Sequence, residues 1–520
     1  MRVSAALEPE PVRTALHPDV SAAWVGDGYS CARVAFESLP GLLVTGNVYR
    51  PASASAGAAP PGILCPHGHW QDGRLQADDR DVSVVARCVQ LASMGAVVFS
   101  YDMVGYNDSC QLPHRTFIGD AASGLSLLGL QTWNTIRSLD YLLEHEGVDP
   151  RRVGITGASG GATQALIACA VDERFAAAAP VNMISLHMQG GCRCENAPLL
   201  RLHASNVDIA GLHAPRPLFV GSSSGDWTRD TPQQELPALR EVYRLCEAAE
   251  PVGHHVDAAH GYNREMRQEV YRFFGRHLLG LAEARVVKQA VEQPIPAPPL
   301  RESLVWWGRE APPPLSAARL REVWQSHCEA SLRRHLRDRE TARASIVPLL
   351  SHVVGLPPGE SPNGGDSPSA AASPSTLHLS RQGGRLVVTE AAPASYPDGA
   401  TVDGSEPVFA TYNLTPGQRR VQDILAALAT GPAGVTLEGR GSAGAAALVA
   451  GALSPQVATV DVELDGFDPR HDGDWQRYFD LPTLQRIGGL APVLAQLDGR
   501  SLRLRGASPG VARLQRTFAR

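Results

Sequence analysis

The 520-residue chain reads as an α/β protein built on a mainly parallel, doubly wound sheet. Three observations predict this class. Short apolar runs alternate with segments of helical periodicity from residue 31 to residue 279, the pattern of strands joined by crossover helices. The run Val153-Gly154-Ile155-Thr156-Gly157-Ala158-Ser159-Gly160-Gly161 passes directly into the alanine-rich Ala162–Ala168, a strand, a tight turn and a helix in that order. A weaker version of the same alternation returns between residues 421 and 505.

Taken in order, Arg33–Glu37 and Leu42–Tyr49 flank a Pro40-Gly41 turn and form a hairpin. A small-residue loop, 51–62, leads to the buried strand Ile63-Leu64-Cys65, which runs into Pro66-His67-Gly68-His69-Trp70. A helix over Val82–Met94 precedes the strand Ala96–Tyr101, which stops at Asp102-Met103-Val104-Gly105. Trp133, Ile136, Leu139 and Leu143 recur at helical spacing, and Asp149-Pro150-Arg151-Arg152 turns the chain into the strand at Val153. Strands follow at Phe175–Val181, Pro217–Val220 and Val252–Val256, with helices at about 235–248 and 265–279.

Ser159 is the candidate nucleophile. A serine on a sharp strand-to-helix turn needs small neighbours, because the turn holds it at a strained backbone angle. The helix behind it offers N–H groups and a partial positive charge to a developing oxyanion. The pattern G-x-S-x-G also occurs around Ser223 and Ser508. Proline at 509 removes the N–H an oxyanion would need after Ser508, and no helix follows directly on Ser223. His260 follows the final strand of the unit and is the candidate general base. Asp226 is the candidate orienting acid, with Asp230 as a substitute; Asp257 lies too close in sequence to reach the His260 ring. His254 and His255 fall inside a strand pattern and read as structural. Asp102 reads as a turn acid.

These pieces resemble the α/β-hydrolase superfamily over about residues 20–285. Cys65-Pro66-His67-Gly68-His69-Trp70, Tyr101-Asp102-Met103-Val104-Gly105-Tyr106 and Gly225-Asp226-Trp227-Thr228 are similar to acetyl-xylan-esterase-like proteins of the dienelactone-hydrolase and prolyl-oligopeptidase branch. The resemblance implies a serine carboxylic-ester hydrolase that acts through an acyl-enzyme, on a short acyl ester such as acetyl on a carbohydrate. It implies an oxyanion hole from the Gly160 N–H and the His69 backbone, with Trp70 and Glu195 at the substrate pocket. A serine peptidase or amidase on the same triad, and a non-catalytic scaffold or binding protein, are the alternatives.

No organic cofactor is expected, and no metal. Cys192 and Cys194 form a C-x-C pair with His187 and His203 nearby, but no second pair lies at zinc-ligand spacing. A net charge of -6 argues against nucleic-acid and anionic-membrane partners, which leaves a small-molecule ester. Nine cysteines at irregular spacing, with no apolar leader at the N-terminus, read as a reducing, cytoplasmic setting.

The domain reading is a tail over 1–19, a catalytic unit over 20–285, a Pro-rich linker with an amphipathic helix over 286–375, and a degenerate, non-catalytic hydrolase-like copy over 376–520. In that copy Val435-Thr436-Leu437-Glu438 enters Gly439-Arg440-Gly441-Ser442. Counted from Val435 as from Val153, Gly441 takes the place of Ser159, and His471 comes too early to serve as a base. Its apolar surface is expected to pack on the first unit or on a second subunit of a homo-oligomer.

Overall fold

The computed structural model describes the chain except residues 1–9, 53–58, 78–81, 115–123, 293–300, 307–311, 336–338, 358–376, 391–408, 498, 507 and 519–520. The first unit is a large sheet whose main strands are β1 (Tyr29–Leu39), β2 (Leu42–Pro51), β3 (Gly62–Leu64), β4 (Val97–Tyr101), β5 (Val153–Ala158), β6 (Ala177–Val181), β7 (Phe219–Gly225) and β8 (Val252–Ala259). They lie side by side in the order β1-β2-β4-β3-β5-β6-β7-β8. β1 and β2 pair antiparallel, as do β2 and β4; the remaining pairs are parallel.

The central strands β4, β5 and β6 are buried along their whole length. Both faces are therefore covered, which explains why their sequences are apolar or small throughout rather than alternating. The crossover helices are α1 (Val84–Ser93), α2 (Leu127–His145), α3 (Gly160–Val171), α4 (Glu235–Leu245) and α5 (Arg264–His277). Ser83 caps α1, Ser126 caps α2 and Asn263 caps α5, each accepting a backbone N–H from the first turn. The chain leaves β3 toward β4 on one side and later returns to β5 on the other. A ligand crevice opens where the strand order reverses in this way, at the carboxyl ends of β3 and β5.

The N-terminal segment packs on this unit: Leu16 is buried, and Arg13 pairs with Asp140 on α2. The stretch read as a linker carries more structure than its prolines suggest. Helix α6 (Ala317–His335) buries Leu320, Val323, Trp324 and Cys328 in the core of the first unit. Helix α7 (Arg339–Val353), which the sequence pattern does not announce, contributes Ile346, Leu350 and Val353 to a second core. Most of the Pro/Gly/Ser tract, and the prolines between 294 and 299, fall outside the described residues.

The second core surrounds a smaller sheet, β9 (Leu377–Gln382), β10 (Arg385–Glu390), β11 (Val435–Arg440), β12 (Val457–Glu463) and β13 (Ser501–Arg505), in that order. β9 and β10 are an antiparallel hairpin and the rest is parallel. Helix α8 (Pro416–Ala429) leads into β11, and α9 (Gly441–Leu453) connects β11 to β12. Gly441 has φ +58, beside +57 for Ser159. The two strand-to-helix turns share this positive φ, and the C-terminal one carries no side chain there.

Candidate active site

Ser159 sits between β5 and α3 at φ 57, ψ -126, a conformation that costs a non-glycine residue about 1–3 kcal/mol. Backbone bonds on both sides hold it there. Its N–H donates to Val181 O at 3.1 Å, and its carbonyl accepts from Thr163 N at 2.9 Å. The turn is crowded by the loop after β3. A Cβ at Gly161 would stand 2.5 Å from Pro66 O, and one at Gly157 would stand 2.7 Å from the same atom. Only glycine permits that approach of one backbone to the other. Ser159 keeps 7% of its surface exposed.

On the neighbouring loops, His260 follows β8 and Asp226 follows β7. His260 Nδ1 lies 2.7 Å from Asp226 Oδ2. The other carboxylate oxygen, Oδ1, accepts from Thr228 N and Thr228 Oγ1 at 2.7 and 2.6 Å. Burial alone would raise the Asp226 pKa, but the bonds from His260 and Thr228 outweigh it and hold the carboxyl below its ordinary range. The His260 loop is tied down in two places. Asn182 Nδ2 donates to Gly261 O at 2.9 Å, and the Tyr262 hydroxyl lies 2.8 Å from Thr156 Oγ1 under β5.

The strand order, the crossover pattern and the strained serine turn after β5 decide the architecture. The fold is that of an α/β-hydrolase.

Within this unit, consecutive residues of one loop reach both halves of the site. The His69 ring lies against Gly160, where a Cβ would come within 2.6 Å of its Cε1. The Trp70 ring stands 5.8 Å from the His260 ring, centroid to centroid. Trp227, which sequence reasoning did not single out, approaches His260 more closely, at 4.5 Å. Two indoles therefore flank the imidazole. Trp227 sits directly after Asp226, so a signal for it was present beside the acid.

Glu195 is buried beside the start of α3. It is 4% exposed; its Oε2 accepts from Cys192 N at 3.1 Å and its Oε1 accepts from Thr163 Oγ1 on α3. Burial pushes its carboxyl above the ordinary range. Asp102 is fully buried between Thr45, Asn107 and Arg74, and burial pushes its pKa up to about 6. His67 accepts from Met103 N at its Nε2, with its Nδ1 2.7 Å from Gly68 O. The backbone N–H on Nε2 puts the ring proton on Nδ1, and burial lowers the pKa to about 3, so His67 is a neutral brace between two loops. Ser223 Oγ donates to Asn182, His255 bonds Ser222, and the exposed Ser224–Asp257 pair stands apart.

Behind Gly160 four donor atoms come together: one nitrogen each from His69 and His114, and the Cys192 and Cys194 sulfurs, all within 4.8 Å of one another. The histidines named from sequence as neighbours of the cysteine pair are elsewhere. His187 faces Gln234, and His203 bonds Gly355 O. Bonds from Cys194 and from the two imidazoles draw Cys192 down, while burial and the charge on Cys192 push Cys194 up.

No family model and no curated protein matches the sequence. Solved structures do. The chain is similar to the methylesterase BT1017, with 29% identity, 65% of this chain and 72% of that chain covered, and a TM-score of 0.49. It is also similar to an acetyl xylan esterase from Paenibacillus sp. R4, at 17% identity, 51% and 90% coverage and TM-score 0.38. A glucuronoyl esterase from Solibacter usitatus matches at 16% identity, 52% and 88% coverage and TM-score 0.39. No helix among the described residues is long and apolar enough to cross a membrane.

Proposed function

We propose that the chain is a serine carboxylic-ester hydrolase acting through an acyl-enzyme on Ser159. The observation that carries this reading is the pairing of a strained serine at the β5–α3 turn with a His260–Asp226 bond on loops at the same edge of the sheet. With its Nδ1–H donating a hydrogen bond to Asp226, His260 keeps Nε2 as a base for the serine hydroxyl. The serine oxygen attacks the ester carbonyl, and the imidazolium returns its proton to the departing alcohol. Water then repeats the sequence on the acyl-enzyme and releases the acid. Gly160, at the first position of α3, supplies an N–H to the oxyanion, and the His69 backbone is the proposed second donor.

The substrate proposed is a short acyl ester, acetyl on a carbohydrate in particular. The neighbours named above are esterases by name, which is in keeping with this class. Trp70 and Trp227 beside His260 give the alcohol side flat apolar walls, of the kind on which a sugar ring stacks.

A panel of p-nitrophenyl esters from acetyl to octanoyl, with acetylated sugars and peptide anilides alongside, tests the reading. Rates should fall at least tenfold from acetyl to octanoyl, and the anilides should not react. A fluorophosphonate probe followed by peptide mapping should label Ser159. It should leave Ser442 untouched, since that hydroxyl is bonded to Glu390. Equal rates across chain lengths refute the short-acyl pocket, and an unlabelled Ser159 refutes the nucleophile.

A further inference from the structure

We propose that His69, His114, Cys192 and Cys194 hold a zinc ion that clamps three active-site loops together above the start of α3. The site does not depend on the esterase reading, since it rests on its own set of atoms.

The donor set is the first argument. Two thiols and two imidazoles are a borderline-soft N₂S₂ combination, which selects zinc among the common divalent ions. The second is geometry. His69 Nε2 is 3.2 Å from His114 Nε2 and 3.0 Å from Cys194 Sγ, and His114 Nε2 is 3.4 Å from Cys192 Sγ. Zn–N and Zn–S lengths of about 2.1 and 2.3 Å give a tetrahedron with edges of about 3.4–3.8 Å. The three distances fall short of those edges by a few tenths of an ångström, and all four atoms lie within 4.8 Å of one another.

The third argument is the support around the ligands. His114 Nδ1 stands 2.7 Å from Val104 O. A carbonyl can only accept, so the proton is on Nδ1 and the lone pair on Nε2 points into the cluster. Metal-bound histidines are commonly oriented in this way. The Cys192 N–H is held by Glu195, whose other oxygen reaches Thr163 on α3. Cys194 is 1% exposed, which suits a ligand of a closed structural site.

The ligands come from the loops after β3, β4 and β6. Four protein ligands complete a tetrahedron, so the ion has no open position for substrate and its role is to position. What it positions follows from contact. The His69 ring lies on Gly160, so fixing that ring fixes the loop that brings His69 and Trp70 to the serine turn. His69 is thus a positioning residue through its ring.

The test is elemental analysis of the full chain, purified with zinc in the medium and dialysed against metal-free buffer; one zinc per chain is expected. Cobalt(II) loaded in its place should show thiolate-to-cobalt charge transfer and the visible bands of a tetrahedral site. Cys192→Ser with Cys194→Ser should abolish both signals, and His114→Ala should lower the zinc content, in protein judged folded by circular dichroism. In wild type, zinc should shield both thiols from a thiol reagent and a chelator should expose them. Wild-type chain that takes up no zinc from excess, or that carries a Cys192–Cys194 disulfide under reducing, zinc-supplied conditions, overturns the proposal. Fluorophosphonate labelling of Ser159 is read separately, so failure of the zinc site and failure of the esterase reading are told apart.

Discussion

Ser159→Ala is expected to lower kcat/KM for a short acyl ester by roughly four to six powers of ten, with little change in Tm. The fold should tolerate it because alanine meets the same cost as serine at φ 57; no new strain enters and only the hydroxyl leaves. His260→Ala should fall by a similar amount. The double variant should be hardly worse than either single one, since a nucleophile without its base and a base without its nucleophile are equally idle. Asp226→Asn is the sharper probe. An amide in place of the carboxylate can donate to Nδ1, which would turn the His260 proton toward Ser159 and cost about four powers of ten. Steady-state kinetics beside thermal melting separate these outcomes from misfolding. Near-wild-type turnover by folded Ser159→Ala would end the assignment.

The fold of the first unit was legible because its signals are local. The strands β3, β4 and β6 are short runs of apolar or small residues, and α1, α2, α4 and α5 carry helical periodicity within a single window. Ser159, Gly160, Asp226 and His260 could be named as candidates because they stand at strand ends, where chain order singles them out. What sequence reading missed is non-local or masked by composition. His69 and Cys194 are 125 positions apart, and the sheet alone brings them together. Spacing rules for zinc describe ligands on one hairpin or helix, and no such rule reaches across three loops. Helix α7 was hidden by Pro348 inside it and by the proline-rich surroundings that suggested a linker. Its apolar face is legible only once the C-terminal sheet is there to receive it. The hairpin β9–β10 was missed although Leu377 and Leu379 alternate with polar residues ahead of the Gly383-Gly384 turn. Glu195, expected from its sequence neighbourhood near the substrate pocket, lies buried between the cysteine turn and α3.

The C-terminal unit is expected to be chemically silent and structurally required, and truncation at two positions separates those claims. Where Ser159 stands in the first unit, the second has Gly441, with nothing to attack a carbonyl. Its contacts run to the first unit instead. Arg486 lies over the Trp324 ring and donates to Gly124 O. Arg201 N donates to Thr411 O, and Gln189 N donates to the Tyr412 hydroxyl. The last two contacts brace the segment that carries Cys192 and Cys194. A chain ending after Gly355 keeps α7 but removes the sheet that covers it. Ile346, Leu350, Val353 and Val354, each at most 3% exposed, would then face water. At about 1.5–3 kcal/mol for each side chain of this size, that loss rivals the roughly 5–15 kcal/mol by which a domain is stable. The fragment should aggregate or melt well below the full chain. A chain ending after His335 lacks α7 as well, so it should be more soluble than the longer fragment. Its turnover should still fall, because the loops braced by Thr411 and Tyr412 lose their support. Light scattering, thermal melting and ester hydrolysis on the two fragments decide the matter. If the shorter one matches the full chain in both stability and rate, the C-terminal unit is an independent module and the bracing described here contributes nothing.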